Sequence, residues 1–168
     1  MADAAETRIE KLYRIIEQSR FGIHDLSRTE LDPTHGLPRF NMPLELGLFL
    51  AAKRFGDDAQ KKKRAMILDT DPFRYQRFAS DLAGMDITAH GGEPRRMVEC
   101  TRDWLATVSQ RKTIPATARL RESYDGLTAA LPGIAHQAGL DEARLAYPDF
   151  ERLVLAWIQE ERVAGHLP

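Results

Sequence analysis

The residues best suited to chemistry are two carboxylates and their immediate neighbours. Asp25 closes a short apolar run, Phe21-Gly-Ile-His-Asp-Leu, and Ser27 follows it. Glu45 lies in a second stretch, Arg39-Phe-Asn-Met-Pro-Leu-Glu-Leu-Gly47. The first run reads as a strand carrying Asp25 and Ser27 at its end. The second reads as a loop turning into a helix, with Glu45 in the opening turn, where the helix dipole favours an ionised carboxylate. Two acids near the carboxyl edge of a parallel sheet stand where open α/β folds bind ligands. A strand-end carboxylate can accept ribose hydroxyls. A carboxylate under a sugar ring can act as nucleophile or stabilise an oxocarbenium-like transition state. Plainer roles exist for each residue. Asp25 can cap the following turn, Ser27 can serve the same turn, and Glu45 can be an ordinary glutamate at a helix start. Asn41 reads as an N-cap that also stands beside the site.

The elements that must position these residues follow from periodicity. Asp3 and Glu6 have capping-box spacing, and Ile9, Leu12, Tyr13 and Ile16 recur at helical intervals, predicting a helix over 3–19. Phe21–Leu26 suits a buried strand. Residues 27–41 form a loop of about fifteen residues, long enough for a lid or binding loop. Met42, Leu44, Leu46 and Leu48 alternate as in a strand, but Asn41 as N-cap, Pro43 in the first turn and the run after Phe49 favour a helix over 42–54 ending near Gly56. That helix is apolar nearly all round, so it should be largely buried. Gly47 within it costs ~1 kcal/mol against Ala, and close approach to a strand or ligand would offset this. Asp57–Lys63 reads as a polar loop and Ala65–Asp69 as a second strand. Asp71–Gly84 contains a helix with Tyr75, Phe78 and Leu82 on one side, and Met85–Thr88 is a third strand. His90-Gly-Gly-Glu-Pro introduces a helix over 94–110. Strand–helix alternation implies a parallel sheet. The fold class is α/β, a three-layer Rossmann/flavodoxin-like sheet of about three strands over residues 1–112. Residues 116–131 and 148–163 read as helices, with Phe150, Leu153, Val154, Trp157 and Ile158 on the inner face of the second. Residues 113–168 are therefore a helical C-terminal extension.

Composition narrows the function classes. The 24 basic and 25 acidic residues balance, so no overall field favours nucleic acid or an anionic membrane. Lys61-Lys-Lys-Arg64 reads as a solvated loop. No apolar run approaches the ~20 residues that span a bilayer, and the N-terminal residues lack signal-peptide character. The single Cys100 excludes an intrachain disulfide framework and reads as a buried, inert thiol. A reducing, cytoplasmic setting is the expectation. His24 reads as a packed structural residue, because strand neighbours point to opposite faces. His35 and His90 fall in loops, and no His, Asp or Glu cluster has metal spacing. Arg28 and Arg39 flank the long loop and could meet phosphates, with surface ion pairing an equal alternative. Tyr75 and Trp104 read as core.

The run Asp25-Leu-Ser, then Arg39-Phe-Asn-Met-Pro-Leu-Glu-Leu-Gly-Leu48, then an apolar strand at Ala65–Leu68, resembles the TIR-like and nucleoside 2-deoxyribosyltransferase-like superfamily over about residues 5–108, more weakly after Thr70. By this resemblance Glu45 takes the place of the catalytic glutamate for N-glycosidic bond cleavage. The implied substrate is NAD or a nucleoside, with Asp25, Ser27, Arg39 and Asn41 as binding residues and no metal or cofactor. Arg39 stands where the family pattern has its first Asn. Members normally begin with a strand–helix–strand unit, roughly forty residues, that has no counterpart before the first helix here. The expected consequence is an open sheet edge inviting a homodimer or partner strand. The resemblance permits a non-catalytic nucleotide-binding or protein-interaction module as well, and a role in bacterial defence or signalling.

Overall fold

The computed structural model describes residues 7–32 and 34–166. The chain divides into two compact units, Met1–Lys112 and Thr113–Pro168. The first is built on three parallel strands, β1 (Phe21–Asp25), β2 (Arg64–Asp69) and β3 (Ile87–Ala89), in the order β1-β2-β3. Its helices are α1 (Arg8–Gln18), α2 (Asn41–Phe55), the single turn α3 (Asp58–Lys61) and α4 (Pro94–Ser109). The fold is thus α/β, as the strand–helix alternation predicts.

Register fixes which side chains share a face. Phe21 pairs with Arg64, His24 with Ile67 and Asp25 with Leu68, while Ile67 pairs with Ile87. His24, Ile67 and Ile87 therefore look to one side and Phe21, Asp25 and Leu68 to the other. On the first side Leu26, Leu46, Ile67 and Tyr75 form the buried cluster, joined by Met42, Leu50, Phe78 and Ile87. On the second, Trp104 of α4 meets Phe21 edge-on at 6.0 Å. Helices thus cover both faces. Even-numbered positions of β1 serve the ladder to β2: Arg20 O accepts from Arg64 N–H at 3.0 Å, and Leu26 N–H donates to Leu68 O at 2.8 Å. The backbone groups of Phe21, Ile23 and Asp25 therefore point to the outer edge.

Several local expectations are corrected. The capping box belongs to Thr7 and Glu10: Thr7 N–H donates to Glu10 Oε2 at 2.9 Å, and Glu10 N–H to Thr7 Oγ1 at 3.3 Å. Asp3 and Glu6 lie outside the described residues. Helix α2 starts one residue earlier than expected, so Asn41 is its first helical residue and Phe40 holds the cap position without a side-chain bond. Its apolar circumference is not buried: Leu46 and Phe49 are, whereas Leu44 and Phe55 are exposed, because one face alone packs on the sheet. A Cβ at Gly47 would meet nothing within 4 Å, so no close approach explains that glycine. The segment after β2 is two short 3₁₀ turns, Arg74–Arg77 and Ser80–Leu82. The left-handed Phe73 (φ 64°) bars an earlier start, and the non-helical backbone of Phe78 (φ −132°) and Ala79 (φ −143°) separates the two turns. Tyr75 is nevertheless buried there, as read from sequence. Cys100 is half-buried.

Lys63 departs most from its sequence reading. It is buried, and its ammonium donates to the carbonyls of Ile16 and Ser19, capping the end of α1. The same ammonium lies 5.0 Å from the Phe49 ring centroid. Burial pulls its pKa down, opposed by Asp57 and Glu17.

The second unit is a helical hairpin of α5 (Thr117–Gln137) and α6 (Tyr147–Val163). Ala135, Leu153 and Trp157 are its buried residues, whereas Phe150, expected inside, is 39% exposed. Gly126 lies against Trp157, where a Cβ would stand 3.4 Å from the indole.

Close approach does occur at Gly22. A Cβ there would lie 2.7 Å from His24 Nε2 and 2.8 Å from Phe49 Cε2. Gly22→Ala should therefore cost about 1–3 kcal/mol of overpacking, read as a lower urea midpoint; an unchanged midpoint would show that the Phe49 ring can step aside. His24 itself is buried, edge-on to Phe49 at 5.2 Å, and neither ring nitrogen has a hydrogen-bond partner among the described residues. Desolvation holds its pKa below the usual value. The unfolded chain titrates this group near ~6.5, so below that pH the unfolded state binds more protons and stability falls with falling pH. We expect the urea midpoint to decline as pH drops through and below that value, and His24→Leu to flatten the decline. Equal slopes in the two proteins would contradict it.

Candidate functional site

A parallel ladder sends the chain off the same edge after every strand, so three distant segments meet at the carboxyl edge. The first brings Asp25. Its Oδ1 accepts the Ser27 N–H at 3.0 Å, and its Oδ2 accepts the Ser27 hydroxyl at 2.9 Å. This is the turn-closing role that Asx residues take after strands. It commits the Ser27 hydroxyl proton to Asp25 rather than to a ligand.

The third segment brings His90. Its ring is buried, and Nε2 stands 3.3 Å from Asp25 Oδ1. Gly92 N–H donates to His90 Nδ1 at 3.1 Å. That bond needs a lone pair on Nδ1, so the neutral ring carries its proton on Nε2 and donates it to Asp25. The Asp25 side chain is 32% exposed, so the cluster is open to solvent. The Gly91-Gly92 pair, both with positive φ, folds inward: Gly91 N–H donates to Thr70 O at 2.8 Å, and Glu93 N–H to His90 O at 3.1 Å. These amides are spent on the turn, so the glycine pair is not a phosphate cradle.

The second segment brings a buried ion pair. Asp69 is wholly buried at the end of β2. Its Oδ1 accepts from Thr70 N–H at 2.8 Å and from Arg74 Nε at 2.7 Å. Arg74 Nη2 donates to Leu26 O at 2.6 Å, tying the loop after β2 to the end of β1. The guanidinium also lies 5.3 Å from the Phe78 ring centroid.

The other predicted residues stand differently. Glu45 is half-buried, and its side chain makes no hydrogen bond or ion pair among the described residues. It is the fifth residue of α2, beyond the first turn, so the dipole argument for its ionisation loses its force. Asn41 is exposed. Arg39 is exposed and lies 3.4 Å from Asp32 Oδ2. Asp32 in turn holds the long loop, accepting from Thr34 N–H at 2.7 Å and His35 N–H at 3.3 Å. The Thr34 amide, then Arg39 and His35, hold its carboxyl below the ordinary range against the opposing effect of burial. The structure thus brings together Asp25 and Ser27, and adds His90. Among the described residues no hydrogen bond joins Glu45, Arg39 or Asn41 to that group. A cavity of about 290 Å³ opens elsewhere, lined by Tyr13, Ile16, Leu48, Ala52 and Gln60 among others. Among the described residues no group of three or more His, Cys, Asp or Glu side chains could hold a metal ion, and no helix is long and apolar enough to cross a membrane.

Sequence reasoning missed His90, Asp69 and Arg74. One signal could have found the first two: like Asp25, each stands at or just beyond the end of an apolar strand. Fold and site together define an α/β protein with a parallel sheet and polar groups gathered at its carboxyl edge. Protein-family models, curated proteins and solved structures give no match to the chain.

The buried ion pair yields a clear expectation. Arg74→Met leaves the Asp69 carboxylate buried without its counter-charge and should cost about 3–5 kcal/mol in urea unfolding. Adding Asp69→Leu should return part of that loss. A single variant as stable as the parent would show that Asp69 does not need the guanidinium.

Proposed function

We propose that this protein binds a nucleotide or nucleoside at the carboxyl edge of its sheet and cleaves the N-glycosidic bond. The observation that carries the reading is the Asp25 carboxylate, held by Ser27 and His90 yet open to solvent. It is a fixed acceptor for sugar hydroxyls in the region where parallel sheets bind nucleotides. Glu45 is the proposed catalytic group, supported by its place in the Asn41–Gly47 motif and by a side chain that no partner among the described residues occupies. In the reaction the C1′–N bond breaks and its electron pair leaves with the base. The Glu45 carboxylate attacks C1′ or stabilises the positive charge developing there. Water then supplies hydroxyl to C1′ and a proton to the medium. Arg39 and Asn41 are proposed to contact the ligand from the loop and helix start. The outward backbone groups of β1 support a second copy or a partner strand pairing along that edge.

A second reading keeps the ligand and omits the chemistry. It is favoured by His90, whose two ring nitrogens are both engaged and which therefore offers no ready acid for the leaving base. Incubation with NAD⁺ and with 2′-deoxynucleosides, following released nicotinamide or free base, separates the two. Glu45→Gln should lower release by ~100-fold or more, and Asp25→Asn should raise KM. Release that survives Glu45→Gln overturns the assigned role, and binding without release leaves the second reading.

A further inference from the structure

Phe73 sits in a left-handed conformation, φ 64°, that suits glycine and is out of place for a bulky side chain. Its position explains the turn. Between Asp69 and Arg74 the chain must double back so that the guanidinium reaches the Asp69 carboxylate at 2.7 Å and the Leu26 carbonyl at 2.6 Å. A glycine would make this turn without strain. Phe73 makes it while leaving 68% of its surface exposed, and the ring takes part in no aromatic or cation–π contact among the described residues. Neither core packing nor a ring partner among the described residues accounts for it. Strain held in place by surrounding structure points to a ligand-contacting role.

The location says which ligand. Arg74, the next residue, is bonded to Leu26, and Leu26 lies between Asp25 and Ser27. The exposed ring is thus carried on the segment anchored beside the hydroxyl-accepting carboxylate. We propose that Phe73 is a stacking platform for the planar ring of the ligand, a purine, pyrimidine or pyridinium, whose sugar hydroxyls are taken by Asp25. This rests on the carboxyl-edge ligand site proposed above. It supplies what that site lacks, an apolar flat surface, and stacking on an aromatic side chain is tolerant of base identity.

The test is calorimetric titration of the full chain with NAD⁺ and with 2′-deoxyadenosine, alongside thermal unfolding. Phe73→Gly should weaken binding about tenfold or more while leaving Tm unchanged or higher, since glycine relieves the backbone. Phe73→Tyr should bind within about twofold of the parent, the ring being kept. Unweakened binding by Phe73→Gly overturns the proposal, as does a lowered Tm or equal loss in Phe73→Tyr, either of which makes the ring structural. If ligand binds the parent and is lost in Asp25→Asn but not in Phe73→Gly, the stacking role alone falls. If neither ligand binds the parent chain, the carboxyl-edge reading fails and the stacking role falls with it.

Discussion

Parallel pairing of three short strands is the constraint from which the rest follows. β3 contributes only Ile87–Ala89, so the ladder holds it through few bonds. The pairing is prolonged past the strands: His90 N–H donates to Asp69 O at 2.9 Å and Gly91 N–H to Thr70 O at 2.8 Å. Beyond that the carboxyl edge is held by side chains. Arg74 bridges Asp69 and Leu26, and His90 bridges to Asp25. The polar residues of the candidate site are therefore also the clasp that keeps three strand ends in register. Desolvating these groups is compensated in part: Asp69 Oδ1 takes Thr70 N–H and Arg74, whereas the buried Asp69 Oδ2 has no hydrogen-bond partner among the described residues.

The face of the sheet under α2 uses different physics. Phe49 is buried between the edge-on ring of His24 and the Lys63 ammonium, over a strand glycine that leaves room for it. Lys63 loses its water but gains two helix-end carbonyls, which need donors in any case. His24 gains no such partner, so its packing depends on the ring staying neutral. Two basic groups against one phenyl ring can coexist while one of them is uncharged.

What the sequence discloses here is governed by periodicity. The strands and helices α2 and α4 follow from short apolar runs and helical spacing, and so does the helical hairpin. The anchors Tyr75, Phe78 and Leu82 are legible too, but not the 3₁₀ turns that carry them, because an apolar spacing of three or four residues fits either helix type. Lys63 is hidden in a basic run whose other members are solvated: composition gives no sign that one ammonium turns inward to cap α1. At the carboxyl edge Asp25 and Ser27 are visible as a strand-end pair. Asp69 and His90 escape because each becomes meaningful only once register brings three strand ends together. Gly22 and Gly47 look alike as glycines inside regular elements, and only packing distinguishes the crowded one from the open one.

The direction of the hydrogen bonds decides what this edge can do. His90 cannot act as a base toward a ligand while Nδ1 holds the Gly92 amide and Nε2 gives its proton to Asp25. Asp25 is in consequence surrounded by donors, with the Ser27 amide, the Ser27 hydroxyl and the imidazole N–H all aimed at it. A carboxylate held in this way still has lone pairs to offer. Such a group is built to accept, which suits hydroxyl recognition and does not suit proton delivery. A clasp of this kind holds and orients a hydroxyl-bearing group and has no proton of its own to give, because the hydrogens it contains are already directed at Asp25.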